Sequence, residues 1–365
     1  MLKENQISLN EIKNNSRIFG DLYVNSLAAT TDVKIPYQII KGSTDGPVVC
    51  LLSTQHGWEP MGTEILRRAL NLIDPNKLKG TIVCIPLAHP FTVEFGGTIE
   101  SSGQRVSPVD NLDLNQQWPG SNINAWLTQQ TAFVIWNNLI KHCDYMIDYH
   151  DGTGATDELP VAFAHAFPDE QPYYSSSGVE GTESNESIVL NKDIVSKMND
   201  NIKNLSKAFG SEIIWWRKYV LNPKMLTAQC AINGIIPLVV EAGGGCMIDE
   251  TIEPSVQCTL NILKYLKMIE GELIIPKKQI MVENYYVYRS LMGGHFIKYD
   301  NFKIGNVVKK GDDLGYIVHP VNSEIVEKCI APINGMVVSS RIKMPINPGG
   351  YIAHIADYDS IIWEK

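Results

Sequence analysis

Val48-Val49-Cys50-Leu51-Leu52-Ser53-Thr54-Gln55-His56-Gly57-Trp58-Glu59-Pro60 passes from an unbroken apolar run into a short polar turn. The apolar part, Val48 to Leu52, has the composition of a strand buried on both faces, as parallel strands are. Beyond the turn, Met61 to Ile73 predicts a helix, because Ile65, Leu66, Ala69, Leu70 and Ile73 share one face. His56 and Glu59 therefore fall on a strand-to-helix turn at the carboxyl edge of a sheet, where open α/β folds place their ligands. Gly57 leaves the backbone free to aim both side chains at one spot. An imidazole and a carboxylate converging in this way supply two of the three protein ligands of a catalytic zinc site, whose remaining position holds water. A lone His-x-x-Glu occurs often by chance, and most such pairs are a solvated turn with a capping carboxylate, so a third ligand, a base and an oxyanion donor must come from elsewhere in the chain.

Working outward, Val33 to Lys41 alternates as a strand, Gly42 to Gly46 is a turn cluster, and Gly80 to Leu87 reads as another buried strand. This is the opening of an α/β sheet. Residues 88 to 122 lack periodicity and form a long loop carrying Arg105 and Asp113-Leu114-Asn115-Gln116-Gln117-Trp118-Pro119-Gly120. Ile123 to His142 predicts a helix anchored by Trp126, Ala132, Phe133, Trp136 and Ile140. A short strand from Asp144 then delivers His150 at its carboxyl end, the natural third ligand beside His56 and Glu59, with Asp148 or Asp151 to accept its other ring N–H. Ser175 to Ser187, rich in Ser, Gly and Glu, reads as mobile. Helices are expected over Ile188–Phe209, Met225–Ile232 and Thr251–Glu270, and strands over Ile213–Trp216 and Ile235–Val240. The last of these presents Glu241 ahead of Ala242-Gly243-Gly244-Gly245, a good place for a general base and also for a plain surface carboxylate. From Ile280 the chain changes to short strands with frequent turns.

The 365 residues suffice for one large domain or two, and 44% hydrophobic content is ordinary for a globular protein. The net charge of −9, with both signs interspersed, argues against a nucleic-acid partner. No apolar run is long enough to span a membrane, and Met1 to Asn5 lacks the apolar region of a secretory signal. The seven cysteines are scattered without a CxxC pair, as expected of reduced thiols in a cytoplasmic protein.

Taken together, Gln55-His56-Gly57-Trp58-Glu59, Asp113-Leu114-Asn115, Trp118-Pro119-Gly120, Asp148-Tyr149-His150 and Val240-Glu241-Ala242-Gly243-Gly244 resemble the succinylglutamate desuccinylase/aspartoacylase family, zinc deacylases related to the carboxypeptidases. Ala331-Pro332-Ile333-Asn334-Gly335-Met336-Val337 resembles the lipoyl-like β-domain that ends bacterial members. The resemblance implies an α/β fold with a mixed, largely parallel sheet flanked by helices over residues 1–275, and a small all-β domain over 276–365. It implies one Zn2+ per chain held by His56, Glu59 and His150, with Glu241 as base, Arg105 at the oxyanion and Asn115 on the substrate. The implied reaction is hydrolysis of the amide bond of a small N-acyl compound, with no nucleic-acid or membrane partner and room for a homo-oligomer. Two other readings stand beside it: a carboxypeptidase, and a non-catalytic binding or scaffold protein on the same fold.

One departure matters. The family has arginine directly after the asparagine, where this chain has Gln116. Glutamine cannot match the charge of an arginine that clamps a substrate carboxylate. Either the substrate carries a neutral or cationic group at that spot, the preferred expectation, or another cation reaches the pocket, for which Arg217 is the candidate. The stretch Pro320 to Ile325, which would carry the modified lysine in a lipoyl carrier, has none, so the C-terminal segment is expected to be structural.

Overall fold

The computed structural model describes residues 7–94, 103–167, 172–175, 186–189, 192–218, 222–244, 249–300 and 302–365. Most of the serine-rich patch expected to be mobile, residues 176–185, and also residues 1–6 and Gly245, lie outside the described residues. The chain opens with β1 (Ser16–Ser26), β2 (Asp32–Lys41), β3 (Thr44–Ser53), helix α1 (Met61–Asn71) and β4 (Lys79–Ile85). Then follow α2 (Pro90–Glu94), α3 (Leu127–Asn138), β5 (Tyr145–His150), β6 (Thr156–Glu158) and β7 (Val161–Ala166). A two-stranded ribbon of β8 (Pro172–Ser175) and β9 (Glu186–Val189) precedes α4 (Lys192–Phe209), β10 (Ile213–Lys218), α5 (Leu226–Ile232), β11 (Ile236–Glu241), α6 (Asp249–Tyr265) and β12 (Ile280–Val282).

The strand order β1-β2-β4-β3-β5-β11-β7-β10-β12, closed by a final strand at Ile361–Glu364, makes one ten-stranded sheet. It is mixed. The run β4-β3-β5-β11 is parallel, as are β7-β10 and β10-β12, while β1-β2, β2-β4, β11-β7 and the last pair are antiparallel. Alternation along β3 explains why its sequence is apolar throughout. Val49 and Leu51 pack into a core shared with Ile65, Leu66, Leu70, Ile202, Leu205 and Ile252 of α1, α4 and α6. Cys50 and Leu52 point the other way, into a core with Ala132, Ile135, Trp136, Leu226 and Cys230 of α3 and α5. The result is an α/β/α sandwich whose central strands are buried on both faces.

Several local expectations shift. α1 ends at Asn71 and α6 at Tyr265, each short of the apolar periodicity. α3 starts at Leu127, since Trp126 is its N-cap and is 64% exposed, so Trp126 is not an anchor. Ile188 belongs to β9 and α4 starts at Lys192. β1 falls in a stretch too polar to place from sequence; it is an antiparallel outer strand that buries only Leu22 and Val24 fully. The described cysteines are free and buried, and Cys246 lies outside the described residues. Among the described residues no helix is long and apolar enough to cross a membrane.

Residues beyond β12 form β13 (Tyr285–Arg289), β14 (Gly294–Lys298), β15 (Val307–Val308), β16 (Asp313–Val318), β17 (Ile325–Ile330), β18 (Gly335–Arg341), β19 (Pro345–Ile346), β20 (Tyr351–Asp357) and β21 (Ile361–Glu364). They build two sheets, β13-β20-β18-β15 and β17-β16-β14-β19, around a core of Phe296, Phe302, Leu314, Ile317, Val337, Ile352 and Ile355. The lysine-free stretch after Pro320 is the turn of the β16–β17 hairpin. The two sheets exchange strands with the large one. β12 and β21 are its last members, and β6, just after His150, pairs Thr156 to Glu158 with Arg341 to Ser339 of β18.

Candidate metal centre and substrate cavity

The turn after β3 is built tightly. Thr54 sits at φ +60°, a left-handed conformation uncommon outside glycine. Gly57 passes so close to the α2 backbone that a Cβ there would lie 1.9 Å from the Thr92 carbonyl oxygen. Its lack of a side chain is thus a packing requirement more than a bending one. From this turn His56 and Glu59 meet His150, the last residue of β5, and ligand atoms of all three lie within 4.8 Å of one another. Each is more than nine-tenths buried.

The two imidazoles are held alike. Glu59 Oε2 lies 2.8 Å from His56 Nδ1 and 2.6 Å from His150 Nδ1. The outer ring nitrogens face carboxylates: Asp113 Oδ1 is 3.1 Å from His56 Nε2, and Asp148 Oδ2 is 3.1 Å from His150 Nε2. If Nε2–H donates to these aspartates, both Nδ1 lone pairs point at one carboxylate oxygen. Such an arrangement is repulsive unless protons or a cation lie between them, and a cation fits the donor set. Nitrogen and oxygen donors of this kind suit a first-row metal.

A chain of buried polar groups locks the outer carboxylates. Trp118 Nε1 donates to Gln55 Oε1 at 2.7 Å, and Gln55 Nε2 donates to Asp148 Oδ2 at 2.6 Å. Asp113 also accepts from Arg105 Nε at 2.9 Å. Asp151, the other acceptor considered for His150, serves the backbone instead, accepting from the amides of Met61 at 3.0 Å and Thr153 at 2.8 Å.

These residues open into a cavity of about 660 Å³. One wall is a single face of the large sheet. Val239 and Glu241 on β11, Val161, Phe163 and His165 on β7, and Trp215 and Arg217 on β10 alternate with period two and are paired in register. Arg105 and Asn115 also line the cavity. Gln116 is not among the lining residues, and its side-chain oxygen accepts from Asn222 Nδ2 at 2.5 Å. The C-terminal strands contribute Tyr285, Tyr351 and His354. Sequence reasoning missed these three, along with Glu158 and Asp113; only Asp113 lay inside a motif that could have drawn attention to it.

Residues 45–180 match the succinylglutamate desuccinylase/aspartoacylase catalytic domain. Over that span the chain is similar to that family. N-alpha-acetyl-L-2,4-diaminobutyric acid deacetylase of Halomonas elongata is 22% identical over 340 residues, covering 91% of this chain and 88% of that protein. Among solved structures, a succinylglutamate desuccinylase from Silicibacter sp. TM1040 superposes with a TM-score of 0.75 at 19% identity, over 97% of this chain and 100% of the other. The product-bound ectoine utilization protein EutE from Ruegeria pomeroyi gives a TM-score of 0.75 at 20% identity, over 97% and 99%. These structural likenesses extend over the C-terminal sheets and establish a shared fold.

The electrostatics around the cavity are strongly tuned. Burial opposes charge on His56, yet Glu59 and Asp113 outweigh it and hold its pKa above the ordinary value. For His150, Asp148 and Glu59 outweigh burial by more. Burial likewise opposes the Glu59 carboxylate, but the two imidazoles drive its pKa far below the carboxylate range. Glu241 is the opposite case: burial, reinforced by the neighbouring carboxylate of Glu158, pushes its pKa well up.

Two further histidines are kept neutral. Burial lowers His165 to about 3, helped by His150 and Arg217, and lowers His89 to about 4. On unfolding each would return to an ordinary pKa near ~6.5. Between that value and the folded one the unfolded chain binds protons that the native state does not. Stability therefore falls as pH drops, by up to ~1.4 kcal/mol per pH unit for each histidine. Urea unfolding at pH 7 and pH 5 should show His165→Gln losing about 2 kcal/mol less than wild type over that interval. Equal losses in the two proteins would mean that His165 is not held neutral.

Proposed function

We propose that this protein is a zinc-dependent amide hydrolase that removes the acyl group from a small N-acyl amino compound. The supporting observation is the convergence of His56 Nδ1, His150 Nδ1 and Glu59 Oε2, each imidazole backed by its own aspartate, in the same cavity as Glu241. A bound zinc ion would supply Lewis-acid polarisation of the scissile carbonyl and a more acidic attacking water. The remaining steps fall to the chain's own side chains. Glu241, its proton affinity raised by burial and Glu158, takes a proton from the attacking water and delivers it to the departing amine. Arg105, anchored through Nε to Asp113, keeps its terminal guanidinium nitrogens to meet the developing oxyanion. Asn115 offers a substrate hydrogen bond. The names of the relatives, a desuccinylase and a deacetylase, are consistent with amide cleavage. Metal analysis of the purified protein, with amine release from a panel of N-acetyl, N-succinyl and N-formyl amino compounds, tests this reading. A metal-free protein inert towards the whole panel would sink it.

A substrate carboxylate, if present, is met by Arg217 and not at position 116. Arg217 lines the cavity in register with His165, with its guanidinium 5.3 Å from the Trp215 ring centroid. A charge-assisted hydrogen bond contributes about 1.5–3 kcal/mol. Arg217→Ala should therefore lower kcat/KM for carboxylate-bearing substrates by roughly 10-fold or more relative to matched neutral ones. Gln116→Arg should change that ratio by less than about 3-fold, as expected of a position outside the cavity. The opposite ranking of the two variants would return the specificity role to position 116.

A further inference from the structure

The sheet wall of the cavity has an order that the reaction above does not use. Strand register sets its side chains in three rows across β11, β7 and β10. The first row holds Glu241 and Val161, with Glu241 directly opposite His150 of β5. The second holds Val239, Phe163 and Trp215, each the partner of the next across the three strands. The third holds His165 and Arg217. The middle row is hydrocarbon. Trp215 donates its one ring N–H to the Glu283 carbonyl, 3.2 Å away, so the ring offers the cavity no free donor. It is stacked against Phe163 at a centroid separation of 4.2 Å and against Tyr285 at 4.1 Å, which fixes all three rings. Phe163 and Trp215 are only half-buried and line the cavity.

Rigid apolar surface left open inside a cavity gains free energy when matching apolar surface covers it. The row lies one step from Glu241 and one step from Arg217, about 7 Å each way along the strands, and crosses three strands over about 10 Å. A methyl group on the scissile carbonyl is too small to cover that width, whereas a phenyl ring with its linker or a six-carbon chain matches it. The cavity volume of about 660 Å³ falls within the roughly 300–1,000 Å³ of sites that enclose drug-sized ligands. We propose that Val239, Phe163 and Trp215 form a subsite for an extended apolar group, so that the amide cleaved carries an aromatic ring or a medium-length alkyl chain on one side of the scissile bond. The stacked rings hold a flat wall against that group, and Arg217 meets whatever charge lies beyond it. This inference rests on the deacylase reading for the bond cleaved, and on the row itself for the apolar group.

The test measures amine release by zinc-loaded full-length protein from two series. One keeps glycine as the amine and varies the acyl group from acetyl through butanoyl to hexanoyl and benzoyl. The other keeps acetyl and varies the amine from glycine through alanine to norleucine and phenylalanine. In one series kcat/KM should climb by about 3- to 4-fold per added methylene, the gain from burying one, and by about 30-fold or more from the smallest member to the largest. The series that climbs identifies the side of the amide seated on the row. Val239→Phe, which fills the row, and Phe163→Ala, which removes its centre, should each cut the climb by about 10-fold. Calorimetry with acetate, hexanoate, benzoate, glycine and phenylalanine runs in parallel and needs no turnover. If no amide releases amine but hexanoate or phenylalanine binds at least about 10-fold tighter than acetate or glycine, and Val239→Phe removes that difference, the deacylase reading fails and the subsite stands. Amine release that is independent of size in both series, or a climb that survives both variants, overturns the subsite and leaves the deacylase reading in place. Neither release nor size-dependent binding overturns both. Should Val239→Phe not fold, Phe163→Ala takes its place in each comparison.

Discussion

Replacing His150 by alanine should empty the metal site and abolish turnover. His150 is buried at the end of β5, with Nδ1 2.6 Å from Glu59 and Nε2 3.1 Å from Asp148. Its loss removes one of three ligands and also leaves Asp148 and Glu59 as buried carboxylates with fewer partners. A catalytic metal supplies several kcal/mol of charge stabilisation, so activity should fall by about 10³-fold or more. Metal content measured on the purified variant should drop from near one equivalent to a small fraction. His165→Ala is the control: it lines the same cavity, its Nδ1 lies 3.1 Å from Thr227 Oγ1, and it is not in the ligand cluster. Full metal occupancy in the His150→Ala protein would remove His150 from the ligand set.

Exchanging Glu241 for glutamine separates ligand from base. Glu241 pairs in register with His150 across β11 and β5 and lines the cavity, yet its carboxylate is not one of the clustered ligand atoms. The variant should keep its metal and its thermal stability while kcat falls by roughly 10²–10⁴, the range general acid–base groups contribute. KM should change little, because the proton transfer is made only in the transition state. Loss of metal with loss of activity would make Glu241 a ligand, and an unchanged kcat would send the search for the base elsewhere.

The part of this site written locally was legible. Val48 to Leu52 had to be a strand buried on both faces, and a polar turn between it and an amphipathic helix had to sit at a sheet edge. The same logic placed His150 and Glu241 at strand ends. Arg217 was visible as a cation two residues beyond Trp215, and period two explains why both side chains reach one wall. Neighbouring residues on a turn diverge. Asn115 lines the cavity while Gln116 turns to Asn222, 106 residues further along the chain. Trp126 was misjudged because a bulky apolar residue just before a helix can serve as its N-cap and stay in solvent.

Sequence alone determined the alternation of buried strands and helices, the order of the candidate ligands and base along the chain, and the change to short strands after Ile280. These follow from periodicity and from residue chemistry within a dozen positions. Tertiary structure decided the rest. It chose Asp148 over Asp151 as the partner of His150, and it brought Asp113 behind His56. It paired β6 with β18, so that Glu158 comes to lie beside Tyr285 and His354 from more than a hundred residues away. Such placements depend on strand pairings between distant segments, and no local pattern encodes which two strands will share a hydrogen-bond ladder.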